Sequence, residues 1–216
     1  AQDEAVCLKC HQQFVAQDAR RRHTHHEAGS AGDGCLECHM PRVNEGLQDV
    51  VRTHTIFSPT HTGMLESNHP NACNLCHVEK TIDWTAAKLE SWYGPAADRL
   101  GLDLAYSDRG AAVGAGWLGS DNEAVRLIGA DALLRQRAGW SLELLVSSLD
   151  DEFLVNRQFA ARGIEELLGL QLEELGYRFH GSRTGRQPAL ARLREVLLGE
   201  RRRRGEPGGS GQSRER

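Results

Sequence analysis

Along residues 1–80 the apolar residues come singly or in pairs, with no sustained period, between stretches rich in His, Gly, Asn and Thr. From Asp83 the apolar positions recur at helical spacing. Asp83 reads as the cap of a helix carrying Trp84, Ala87 and Leu89 and ending near Tyr93-Gly94-Pro95. Pro95 is expected to start a second helix through Leu100 and Leu104, and Ser107-Asp108-Arg109-Gly110 to be a connector. Ser120-x-x-Glu123 has the form of a capping box, followed by Val125, Ile128 and Ala132 on one face. Ser141 is a cap for Leu142, Leu145 and Leu149. Asp150 or Asp151 caps the next helix, with Val155, Phe159, Ile164 and Leu168 inward. Pro188 suits the first turn of a last helix with Leu190, Leu193 and Leu197.

Within this half, an offset of 30 aligns Asp121 with Asp151, Val125 with Val155, Ala130 with Ala160 and Leu134 with Ile164. Stacked helical hairpins are written this way, although a plain helical bundle would also satisfy so short a repeat. The expected fold is mainly α. Residues 1–94 form a module with little regular structure, 95–199 form HEAT-like helical repeats, and 200–216 are a disordered basic tail.

Charge and composition sharpen the division. Residues 1–94 hold twelve acidic and eight basic side chains and nine of the ten histidines, while the remainder is balanced. An acidic N-terminal half argues against nucleic acid as a partner and fits docking to a basic patch on another protein. No run approaches the ~20 apolar residues of a membrane-spanning helix, so no membrane insertion is expected. The chain begins Ala-Gln-Asp-Glu without Met, which reads as a mature exported protein, periplasmic or extracellular, with its signal peptide removed.

The chemistry lies in three copies of Cys-x-x-Cys-His. They are Cys7-Leu-Lys-Cys10-His11, Cys35-Leu-Glu-Cys38-His39 and Cys73-Asn-Leu-Cys76-His77, and they use every cysteine. This spacing is the attachment signal for c-type haem, with the two thiols joined to the porphyrin and the histidine as proximal iron ligand. Zinc sites or disulfides explain paired cysteines, but not a histidine after the second Cys three times over. Three covalently attached haem c groups are therefore expected, and their macrocycles would supply the apolar interior that residues 1–80 lack.

The sixth iron position has more candidates than it needs: His23, His25, His26, His54, His61 and His69, with Met40 and Met64 weaker. His23 and His26 share a face if residues 21–27 are helical, so that one helix serves two haems. His54 lies in a β-branched segment ending at Pro59, which promises a rigid presentation. His180 stands apart in the helical half.

The succession His23-Thr-His-His, Cys35-Leu-Glu-Cys-His-Met-Pro, Arg52-Thr-His, Pro70-Asn-Ala-Cys-Asn-Leu-Cys-His, Asp83-Trp and Trp92-Tyr-Gly resembles exported bacterial multihaem c-type cytochromes. In that family a triheme unit, related to the cytochrome c nitrite reductase and tetraheme lineage, precedes HEAT-like or TPR-like repeats. The resemblance covers residues 7 to about 94 well and the repeats loosely. It implies His23, His26 and His54 as distal ligands.

Function is then expected to be electron transfer by bis-histidine haems, with the repeats docking a redox protein or membrane redox complex. A small reductase for nitrite, hydroxylamine or a sulfur oxyanion would need one open iron. A third alternative is a subunit of a larger membrane complex or a polymerising extracellular cytochrome.

Overall fold

In a computed structural model of the chain, residues 4–43, 49–94 and 97–204 are described. They are mainly helical, as expected. The helices are α1 (Ala5–Leu8), α2 (Gln17–Thr24), α3 (Cys35–His39), α4 (Gly63–Glu66), α5 (Ile82–Tyr93), α6 (Arg99–Ala105), α7 (Val113–Leu118), α8 (Glu123–Arg135), α9 (Leu142–Ser148), α10 (Leu154–Leu168) and α11 (Arg183–Arg204). Between α3 and α4, β1 (Arg42–Val43) pairs antiparallel with β2 (Val51–Arg52), Arg42 opposite Arg52.

Two compact units emerge, Ala1–Ser141 and Leu142–Arg216. The first runs beyond the division expected after residue 94, because α5–α8 are tied to the cysteine-rich segment. The N–H groups of Val113 and Gly114, opening α7, donate to the carbonyls of Lys80 and Val78, each at 3.0 Å. Gly114 permits this approach: a Cβ there would lie 3.0 Å from Val78 and from Leu133. Asn68 Nδ2 donates to Ala105 O at 3.2 Å, and Arg109 bridges Asp83 and Asp103. Trp117 and Leu133 are completely buried at the α7–α8 packing.

The helix starts differ from expectation, each for a local reason. Thr81, not Asp83, caps α5, its Oγ1 accepting the Trp84 N–H at 3.1 Å. Asp83 falls in the first turn, where a carboxylate also suits the helix dipole. Pro95 lies outside the described residues. The next helix starts at Arg99 behind Asp98, which accepts the Leu100 and Gly101 N–H groups. That register turns Leu102 inward and leaves Leu100 and Leu104 65% and 80% exposed. Asn122 caps α8 by accepting the Ala124 N–H at 2.9 Å, while Ser120 makes the turn before it. Val125, Ile128 and Ala132 are buried as expected.

Ser141, the last residue of the first unit, donates its hydroxyl back to Ala138 O rather than forward into α9. Asp151 accepts the Phe153 N–H at 2.8 Å, and α10 begins after Phe153. Since α8 begins at Glu123 and α10 at Leu154, the structural offset is 31. Leu133 then matches Ile164 and Ile128 matches Phe159, all four buried, whereas Val155 is 47% exposed. Pro188 lies inside α11, not in its first turn, because the helix opens at Arg183, where Ser182 Oγ accepts the Gly185 N–H. Leu190, Leu193 and Leu197 face inward. The same helix carries the backbone on to Arg204, so the start of the expected tail is helical, in keeping with arginine's helix propensity. Residues 205–216 lie outside the described residues. Tyr177 donates to Leu149 O at 2.7 Å, and Arg157 to the carbonyls of Asp151, Glu152 and Phe179.

Candidate metal centres

Each Cys-x-x-Cys-His copy sits on a helical turn that brings its histidine back beside the first cysteine. The N–H of His11 donates to Cys7 O, and that of His77 to Cys73 O, both at 2.9 Å. The middle copy is α3 itself. No disulfide joins the six cysteines. Burial holds several as neutral thiols. Cys38 is pushed up to about 12 and Cys73 to about 11, mainly by desolvation and further by neighbouring cysteines. Because Cys73 and Cys76 act on Cys38, the second and third motifs are neighbours.

Polar side chains shape the loops around them. Arg52 Nη1 donates to Leu36 O at 3.0 Å and to Met40 O at 3.2 Å, closing the end of α3, and its Nη2 pairs with Glu37. At the third motif Asn71 Oδ1 accepts the Asn74 N–H. Asn74 Nδ2 donates to His77 O and Lys80 O, and Thr85 Oγ1 donates to Asn74 Oδ1 at 2.7 Å. Asn74 and Thr85 are completely buried. Near the first and second motifs Arg20 donates to Phe14 O and pairs with Glu4 and Asp33.

Two imidazole pairs follow. His39 faces His23 with ring centres 6.0 Å apart and planes 6° from parallel. His77 faces His26 at 6.0 Å and 27°. A metal-bound imidazole nitrogen lies about 2 Å from the metal and about 1 Å from its own ring centre, so two axial imidazoles stand roughly 6 Å apart. The centre-to-centre distance in both pairs equals that spacing.

Tautomers fit too. His39 Nδ1 lies 2.7 Å from Phe57 O, and His26 Nδ1 lies 2.6 Å from Thr24 O. A carbonyl only accepts, so each Nδ1 is the donor, and in the neutral ring this tautomer leaves Nε2 with the lone pair that a metal would take. Burial, with His39 and His25 nearby, lowers the His23 pKa, and burial is also the main cause lowering that of His77. Both are thereby kept neutral and able to ligate.

The route to the two pairs differs from the single helix expected over 21–27. The helix α2 ends at Thr24, and His25 is left-handed, with φ 56°. This turn sends His23 and His26 to different partners. His25 packs flat on Trp92, ring centres 4.2 Å apart. Gly32 lies against the His26 ring so closely that a Cβ would overlap it. Tyr93 donates its hydroxyl to His23 O.

His54 was expected on an extended strand, but β2 stops at Arg52. The Thr55 N–H donates to Thr53 Oγ1, placing His54 in an exposed turn. His61 and His69 are exposed as well, and none of the three makes a ring contact. His180 is exposed and meets Phe179 edge-on. His11 has the Phe14 ring 6.4 Å away. A cavity of about 370 Å³ is lined by residues that include Cys7, His11, Phe14, His23, Cys35 and His39.

Sequence reading passed over Arg52 as context for His54, and passed over Asn74, Thr85, Gly32 and Tyr93. The Asn residues flanking Cys73 were the available signal. Among the described residues no group of three or more His, Cys, Asp or Glu gathers as a protein-only metal site. No family model, curated protein or solved structure matches the chain.

Proposed function

We propose that the chain carries three covalently attached haem c groups and transfers electrons. The carrying observation is the 6.0 Å spacing of two imidazole pairs, each joining a Cys-x-x-Cys-His histidine to one from the segment His23–His26. Bound haem supplies one-electron oxidation and reduction. The cysteines anchor it, with Cys7 and Cys10, Cys35 and Cys38, and Cys73 and Cys76 as the three attachment pairs. His11, His39 and His77 are the proximal ligands, and His23 and His26 complete two of the sets. The carbonyls of Phe57 and Thr24 orient His39 and His26, and Arg52 and Asn74 fix the loops that carry the motifs. Two fixed imidazoles leave a metal between them no site for substrate, which favours a carrier over a catalyst.

In this reading the protein works outside the cytoplasm, with a redox protein or membrane redox complex as partner. The helical hairpins, read as HEAT-like repeats, offer that partner its surface. Among the described residues no helix is long and apolar enough to cross a membrane. The test is intact mass under reducing, denaturing conditions. The expected mass is the chain plus three haems, with one haem lost for each Cys pair replaced by Ala. Fewer than three haems, with thiols open to alkylation, would sink the proposal.

A further inference from the structure

His25 is an exposed residue that ends α2 in the left-handed region, at φ 56°. Its N–H donates to Arg21 O at 2.8 Å, a helix ending for which glycine is the usual residue. Any other side chain is strained there, because its Cβ crowds the following carbonyl. Burial does not impose the conformation on an exposed residue. The end of α5 holds it instead. The Trp92 indole lies flat against the His25 ring, 4.2 Å between centres and 5° between planes, and Lys88 Nζ stands 5.6 Å from the Trp92 ring centre. The neighbouring Tyr93 donates its hydroxyl to His23 O, so α5 grips the turn from two residues.

The same helix reaches His77. Thr85 Oγ1 donates to Asn74 Oδ1 at 2.7 Å, and Asn74 Nδ2 donates to His77 O at 3.2 Å. The Trp84 ring stands 5.0 Å from the His77 ring. Thr85 and Leu89 are buried, which anchors α5 between its two ends. One rigid element therefore touches both the loop that carries His77 and the turn that precedes His26. We propose that Trp92 is a positioning residue for the His26–His77 pair: it keeps His25 left-handed, so that the chain leaving α2 brings His26 to His77. The inference rests on the triheme reading, in which these two imidazoles ligate one iron.

The test uses the full-length protein with its haems. Intact mass gives the haem content, and electron paramagnetic resonance counts high-spin centres per oxidised chain. Trp92→Ala should keep three haems and add one high-spin centre to the wild-type count. In a His26→Ala background, where that centre is already high-spin, it should add nothing. In a His23→Ala background it should still add one. Glycine takes a positive φ without strain. His25→Gly should therefore keep the wild-type count, and should restore it when combined with Trp92→Ala. His25→Ala lacks both the ring and that freedom, and should match Trp92→Ala. Three haems with the wild-type count in Trp92→Ala, even at a lower melting temperature, would overturn the inference and leave the cytochrome reading standing. So would an added centre that His25→Gly fails to remove. A wild-type mass short of three haems would overturn both. If Trp92→Ala fails to fold, His25→Ala against His25→Gly decides, and equal counts in those two would overturn the inference.

Discussion

Residues 4–80 and the second unit are built by opposite means. In the second unit Leu145, Leu149, Ile164, Leu172, Leu190 and Leu193 are all at most 1% exposed, and four of them come from helices α9, α10 and α11. That is an ordinary apolar core, which holds itself together by removing hydrocarbon from water. Residues 4–80 bury little beyond Val50, Leu65, Leu75 and Val78, and polar side chains close their loops instead. Arg52, Asn74 and Arg20 each tie several backbone or charged groups. Hydrogen bonds of this sort contribute only about 1 kcal/mol each, net of water. They specify shape better than they supply stability. On the proposed reading, bound porphyrin supplies the apolar mass, and the chain's task is to place ligands around it.

The largest expected effect concerns where that cooperation ends. On the triheme reading, a chain cut after Ser141 should keep all three haems and the absorption spectrum of the full chain. A chain cut after Gly94 loses the α7 contacts to Val78 and Lys80 and should lose order at the third motif, seen as rapid amide exchange at Leu75 and Val78. Equal behaviour of the two truncations would break the comparison, since it would make the first 94 residues self-sufficient.

Next comes the core of the second unit. Leu145→Ala should cost about 2–5 kcal/mol, as large-to-small core changes do. Thermal unfolding would report it, while the haem absorption spectrum stays unchanged. A changed spectrum would mean that the two regions are not independent.

Gly32→Ala should cost less, about 1–3 kcal/mol, because one methyl group must be accommodated. Its signature is local. The methyl overlaps the His26 ring, so the His77 centre should gain high-spin character while the His39 centre does not. Magnetic circular dichroism separates the two.

Smallest is the acid limb of the second unit. Burial alone would raise the Asp150 carboxyl, but hydrogen bonds from Arg186, Gln187 and Arg183 outweigh it and hold the group below its ordinary 3.8. A folded value below the unfolded one stabilises the fold above that ordinary value, and the benefit is lost as pH falls through the depressed one. The gap in melting temperature between wild type and Asp150→Asn should therefore be steady above about pH 4 and close below it. A gap that persists at pH 2 would assign the effect to packing, since the Asp150 side chain is only 17% exposed.

Much of this was legible in the sequence where one residue type has one physical use. Three cysteine pairs each followed by histidine marked the candidate sites, and Leu190, Leu193 and Leu197 marked the inner face of α11. Helix starts were less legible, because Thr81 and Asp83, or Ser120 and Asn122, compete for the same cap and only the backbone angle decides. The partner of each histidine was not legible at all. Periodicity assumes a helix continues, and nothing in His23-Thr-His-His announces that His25 turns left-handed. Arg52 escaped notice because its targets, Leu36 O and Met40 O, are backbone atoms that carry no sequence signature.

That left-handed residue has a further consequence. A non-glycine residue at positive φ costs about 1 kcal/mol or more and survives where its surroundings over-determine it. Here one turn feeds two centres, so the molecule has a shared point of failure. On the proposed reading, a single-residue deletion at 24–25 would not weaken one centre by degrees. It would change the spacing between His23 on α2 and His26 beyond the turn, so that the two could no longer both meet their partners, His39 and His77.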